Sequence, residues 1–295
     1  MKTVTQTLEL SNRYSTVRAL GMIAETGFDG ADLSLVGMCR EGTDISSSGI
    51  MSYAEQILDA CAVLELPILQ CHAPFAFGDY GRENLEKVIL PTLAASLRIA
   101  GAVGAPYCVV HPIHNLPYPE SRELLREQNL EFYHRLLPYA REYGVCIAVE
   151  NMWKRNKQTG VIGNDVCSCP EEFVQYVDMM DSEHVCACLD IGHVGLCSQS
   201  LEAMINGLGK RIKCIHLHDN DGKEDLHTLM GKGCIDFDHV ARLLAKIGYN
   251  GNITLEADGF LENASEEQLP YRLALMEEGA RRFRSRVLEY KSTLV

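Results

Sequence analysis

Short runs of apolar and β-branched residues recur along the chain, each followed by a longer stretch whose apolar positions return every three or four residues. The short runs predict strands over 4–8, 30–35, 67–72, 107–111, 145–151, 185–191, 212–217 and 252–257. The longer stretches predict helices over 53–64, 85–102, 121–143, 171–180, 238–247 and 267–290, with a shorter one near 201–208. Seven of the eight strands are almost continuously apolar, as expected of parallel strands covered on both faces. The first, TVTQTLEL, alternates polar and apolar instead. Regular alternation of strand and helix argues for βαβ units, and eight such strands are what a closed (β/α)8 TIM barrel of the α/β class requires. No linker or low-complexity tract divides the sequence, so residues 1–295 are expected to form a single barrel domain.

The strand ends carry the chemistry. Six consecutive strands terminate in a residue able to bind metal: QCH (His72), CVVH (His111), AVE (Glu150), CLD (Asp190), CIH (His216) and TLE (Glu256). Their spacings are 39, 39, 40, 26 and 40 residues, near one repeat of a strand–loop–helix–loop unit. Side chains two apart on a strand share a face. If Glu150 points into the barrel, so do Ala148 and Cys146, while Val149 and Ile147 face the helices. The C-terminal ends of barrel strands form the active face of this fold. One such residue alone is usually a cap or a satisfied polar group; six in register point to a shared cation. Additional candidates lie just behind them: His193, Asp225 and His227. His218 shares a face with His216, but IHLHD places His216 deeper in its strand. A set of carboxylates and imidazoles suits a divalent Mn, Co, Mg or Zn ion.

The motifs HAPF (72–75), VVHPIH (109–114), AVENMW (148–153), LDIGH (189–193), IHLHDND (215–221), DLHTLMGKGCIDF (225–237) and TLEAD (254–258) resemble the xylose isomerase-like barrel superfamily over nearly the whole chain. That group includes sugar isomerases and epimerases, inosose dehydratase and endonuclease IV. The resemblance implies one metal held by Glu150, Asp190, His216 and Glu256, with the two glutamates also serving as acid and base beside a substrate carbonyl, through an enediolate. It implies that His193 contacts a substrate oxygen. Endonuclease IV is similar at all nine of its zinc-ligand positions, here His72, His111, Glu150, Asp190, His193, His216, Asp225, His227 and Glu256, which implies a trinuclear zinc phosphodiesterase of abasic DNA as the alternative. A polyol dehydratase would use the same groups. LDIGHVGL has the sugar-isomerase form, and the segment after Glu150, NMWKRNKQTG, lacks the nuclease's Gly-rich sequence. The isomerase reading is therefore preferred. Where some ketose epimerases carry an arginine, this chain has Gly222.

Trp153, the sole tryptophan, is expected on a loop at the active face, where it would stack on a sugar ring or pack. Lys154 and Arg155 are candidates for binding a phosphate or carboxylate. Gly231-Lys232-Gly233 reads as a turn, since no strand and spacing of a phosphate loop precede it, and 46–49 reads as a loop over the barrel mouth. The net charge of −13 argues against a nucleic-acid partner. Twelve cysteines, half of them in buried-strand patterns and none in a CxxC pair, read as reduced thiols of a cytoplasmic protein. The N-terminus has no signal-peptide h-region and no stretch is long enough for a membrane span. The expected partner is a small sugar or sugar phosphate; a homo-oligomer is compatible with all of this.

Overall fold

The computed structural model describes residues 1–40, 42, 44–75 and 77–294. Every predicted strand forms: β1 (Thr3–Gln6), β2 (Gly30–Ser34), β3 (Ile68–His72), β4 (Tyr107–Val110), β5 (Cys146–Glu150), then, after a hairpin of β6 (Trp153–Arg155) and β7 (Ile162–Asn164), β8 (Val185–Asp190), β9 (Ile212–His216) and β10 (Ile253–Leu255). The eight long-range strands pair in the order β10-β1-β2-β3-β4-β5-β8-β9, all parallel. Helices intervene between them, the main ones being Thr16–Thr26, Ser47–Leu64, Leu90–Ala102, Arg122–Tyr143, Pro170–Met179, Leu201–Leu208, Phe237–Lys246 and Leu269–Thr293. This is a (β/α)8 TIM barrel.

The ring closes between β9 and β10 through a single bridge, Leu217 to Leu255. Two backbone bonds accompany it, Leu217 N–H to Thr254 O at 2.9 Å and Glu256 N–H to Leu217 O at 3.2 Å. The other neighbouring pairs share two to four registered residues each, so this seam has the shortest register of the ring.

Strand parity sorts the side chains as the alternation requires. Ile147, Val149, Leu189 and Ile215 join the large apolar layer under the helices. Val109, Ala148, Cys186, Cys188 and Cys214 form a separate cluster inside the barrel, with Tyr107 and Cys146 packed against it. Small residues fill the interior because eight strands leave little space there. All twelve cysteines are unpaired. No helix among the described residues is long and apolar enough to cross a membrane.

Three local expectations change. β1 ends at Gln6, and Leu8 begins the short helix Leu8–Arg13. The turn is fixed by Thr7, whose N–H donates to Asp32 O at 3.0 Å and whose hydroxyl accepts the Ser34 N–H at 2.9 Å. Residues 46–49 are a helix start instead of a loop: Ser46 takes extended backbone and its hydroxyl accepts the Gly49 N–H, capping Ser47–Leu64. Trp153 lies on a strand of the β6–β7 hairpin, paired with Asn164, where a loop is expected. Asn156 Oδ1 accepts the N–H groups of Gln158 and Thr159 and so shapes the hairpin's turn.

Candidate metal centre

Glu150, Asp190 and His216 are the last residues of β5, β8 and β9, and Glu256 follows β10 by one. Parallel strands end on one face of the barrel, which brings these four together: their donor atoms all lie within 4.8 Å of one another. His216 Nδ1 is 3.2 Å from Glu150 Oε1 and 3.0 Å from Glu256 Oε2. All four residues are buried.

Two further groups adjoin this one. His72 and His111 bring Nε2 atoms to 3.5 and 3.0 Å from Glu150 Oε2, so Glu150 belongs to both groups. Beyond Asp190, His193, His218, Asp225 and His227 form another. There Asp225 Oδ2 lies 3.5 Å from His193 Nε2 and 3.0 Å from His227 Nε2. His218 belongs to this second cluster, with Nε2 at 3.1 Å from both Asp190 oxygens and its ring stacked 4.0 Å from that of His227. Every metal-ligand candidate of the sequence therefore stands in one contiguous array.

Removing so many ionisable groups from water is costly unless they are compensated. Burial opposes the charge on Glu150, yet the neighbouring His216 and His111 hold it well below the usual carboxylate range. Burial likewise opposes the charge on Glu256, and His216 overcomes it. The same burial works against a proton on His193, but Asp190 and Asp225 push it up to about 10. Two buried oxygens lack a well-aligned donor: Glu150 Oε2, whose nearest neighbours are the two imidazoles of His72 and His111, and Asp225 Oδ1. Carboxylates and imidazoles packed this closely, with acceptor oxygens to spare, fit a divalent cation.

A second layer fixes the ligands. Asn151 Nδ2 donates to Asp190 O at 3.0 Å, its Oδ1 accepts the Asp190 N–H at 2.8 Å, and its carbonyl stands 2.8 Å from His193 Nδ1. Gln6 Nε2 donates to Glu256 Oε1 at 2.8 Å. Gln70 donates to Asp32 Oδ2 at 2.7 Å, and its amide stands 2.9 Å from His216 Nε2. His216 is thus held so that Nδ1 faces the carboxylates.

Above the array lies a cavity of about 590 Å³ lined by, among others, Phe75, His114, Trp153, Lys154, Arg155 and Asp258. Trp153 Nε1 donates to Asp225 Oδ2 at 2.9 Å, tying the indole to the second cluster. Lys154 gives its protons to the carbonyls of His114 and Leu116. Arg155 forms a two-pronged pair with Glu224, at 3.2 and 2.6 Å, and donates to Gly160 O. Both cations line the cavity with internal partners. Burial, with the nearby Glu256, pushes the Asp258 carboxyl up to about 7. The 231–233 segment is a turn held by buried Asp219, which accepts from the N–H groups of Gly231, Gly233 and Ile235 at 2.9, 2.8 and 3.1 Å.

Comparison with known proteins decides the lineage: a family model described as xylose isomerase-like TIM barrel matches residues 20–285. The chain belongs to that family. Among relatives of this xylose isomerase-like barrel is a probable endonuclease 4 of Metamycoplasma arthritidis, 25% identical, covering 76% of this chain and 82% of the relative. A fructoselysine 3-epimerase of Escherichia coli O157:H7 is 22% identical, covering 79% and 82%. The crystal structure of a D-tagatose 3-epimerase-like protein superposes with a TM-score of 0.76 at 21% identity, covering both chains completely. The fold of this xylose isomerase-like chain is thus shared end to end with a sugar-epimerase-like protein.

Proposed function

We propose that this protein is a metal-dependent isomerase or epimerase of a small sugar, working by proton transfer next to a carbonyl. The observation that carries the reading is the convergence of two carboxylates, Glu150 and Glu256, on His216 Nδ1 beneath the cavity that both of them line. They come from strands separated by β8 and β9 in the ring, so they approach a bound carbon from different directions. One carboxylate removes a proton from the carbon beside the carbonyl and the other returns it. Glu150, Asp190, His216 and Glu256 would hold the cation, which supplies positive charge to the substrate oxygens on which negative charge develops. Gln6 and Asn151 keep Glu256 and Asp190 in place during that transfer, and His193, fixed by the Asn151 carbonyl, is available to a substrate oxygen. Because Lys154 and Arg155 are engaged internally, a substrate without a phosphate is the better fit. The likeness to fructoselysine 3-epimerase points the same way.

The test is direct. Metal-loaded protein is incubated with a panel of free ketoses in deuterated water and the products are analysed by NMR. Incorporation of deuterium next to the carbonyl is expected; its absence across the panel would sink the reading.

A second reading rests on the several overlapping donor groups and on the likeness to a probable endonuclease 4. Three bound zinc ions per chain and incision of an abasic duplex would establish it. One ion per chain and an intact duplex would eliminate it.

A further inference from the structure

One imidazole of the cavity lies outside the metal-binding groups and has an acid of its own. His114, on the segment after β4, lines the cavity beside Trp153 and Lys154. Its Nδ1 is 2.9 Å from Asp165 Oδ2, on the far side of the β6–β7 hairpin in sequence. Asp165 is wholly buried, and its other oxygen, Oδ1, has no hydrogen-bond partner. Lys154 Nζ stands 3.8 Å from Asp165 Oδ2 but is closer to two backbone carbonyls. A half-satisfied buried carboxylate is destabilising, and bracing the hairpin does not require one, because an amide would do so at lower cost. What an acid adds is control of its imidazole. A carboxylate at Nδ1 selects the tautomer with hydrogen on that nitrogen and leaves Nε2 as an acceptor. The His114 ring is 31% exposed, and among the described residues no hydrogen bond is made by Nε2.

We infer that His114, positioned by Asp165, binds a hydroxyl group of the substrate through Nε2. The inference rests on the sugar reading above and adds to it a recognition residue independent of the metal. An acceptor nitrogen in a cavity whose nearest cations are already paired selects an O–H donor over an anion. It therefore favours a polyhydroxylated chain over a phosphorylated or carboxylated one.

Trp153, the only tryptophan, reports occupancy of this cavity without an added label. The full chain, loaded with manganese, is titrated with D-fructose, D-tagatose and D-allulose while its emission is followed, and deuterium uptake is measured on the same samples. His114→Ala is expected to weaken binding and raise KM about tenfold, the loss of one hydrogen bond, with kcat and metal content little changed. His114→Gln, whose side-chain carbonyl accepts from the same hydroxyl, is expected to recover most of the affinity. Asp165→Asn is expected to raise KM with little change in kcat. Nitrogen-15 NMR of the wild type should show His114 protonated on Nδ1; protonation on Nε2 instead overturns the inference, whether or not the alanine variant folds. Wild-type affinity and KM in both His114 variants also overturn it while leaving the sugar reading intact. Neither binding nor uptake in the wild type removes the sugar reading and this inference with it.

Discussion

At the scale of single residues, the array depends on a few side chains that touch no cation. The Asn151 side chain makes two hydrogen bonds to the Asp190 backbone, and its own carbonyl makes a third with His193. Asn151→Ala is expected to lower stability by about 1–3 kcal/mol through the groups it leaves unpaired, and to weaken metal binding by about 10–100-fold; denaturant unfolding and metal titration measure the two. Glu150→Gln or Glu256→Gln is expected to slow deuterium uptake by about 10²–10⁴-fold, the usual contribution of a positioned acid or base. The ligand-type residues were legible because each closes an apolar run. Gln6, Asp32 and Gln70 close no apolar run, although Gln70 lies two before His72 and hence on its face, a signal that strand parity provides. The pairing of Lys154 with two carbonyls and of Arg155 with Glu224 was invisible, because nothing local in the sequence brings together residues tens of positions apart.

At the scale of elements, the strands were readable to within a residue or two and the hairpin was not. WKR and IGN are too short to show periodicity, and three-residue strands are stabilised by the partner they meet. The short helix Ile191–Leu196 shows how tightly an element can be tied to the array. It is capped by Asp190, whose Oδ1 accepts the His193 N–H at 2.8 Å. A Cβ at Gly192 would stand 2.0 Å from His218 Cε1. Gly192→Ala is therefore expected to displace His218 and loosen the second cluster while the group around His216 persists. Metal analysis and the His218 resonances would show this; an unchanged ring position would contradict it.

At the scale of the whole molecule, a charge of −13 and an array rich in carboxylates make cation binding and protonation one coupled event. Without a cation, His193 is held up to about 10 and His216 well above the ordinary histidine range. A ligand nitrogen must lose its proton before it binds metal. Loading metal near pH 7 is thus expected to release protons, and affinity is expected to fall as pH drops. Calorimetry in buffers of different ionisation enthalpy measures the proton count; none released would refute the linkage. The barrel itself was legible because its repeat is written eight times over, so the atypical first strand leaves the count of eight intact.

Two of the cation's prospective ligands, His216 and Glu256, sit on opposite banks of the sparsely paired junction between the last two strands of the ring. An ion there would act as a rivet, substituting coordination bonds for the missing ladder. Chelation should accordingly let the barrel breathe at that point before anywhere else. The amides of Leu217 and Glu256 are expected to exchange with solvent at least about tenfold faster in the stripped protein, while those of β4 and β5 keep their protection. In this molecule the cation would help both to perform the reaction and to hold the ring shut.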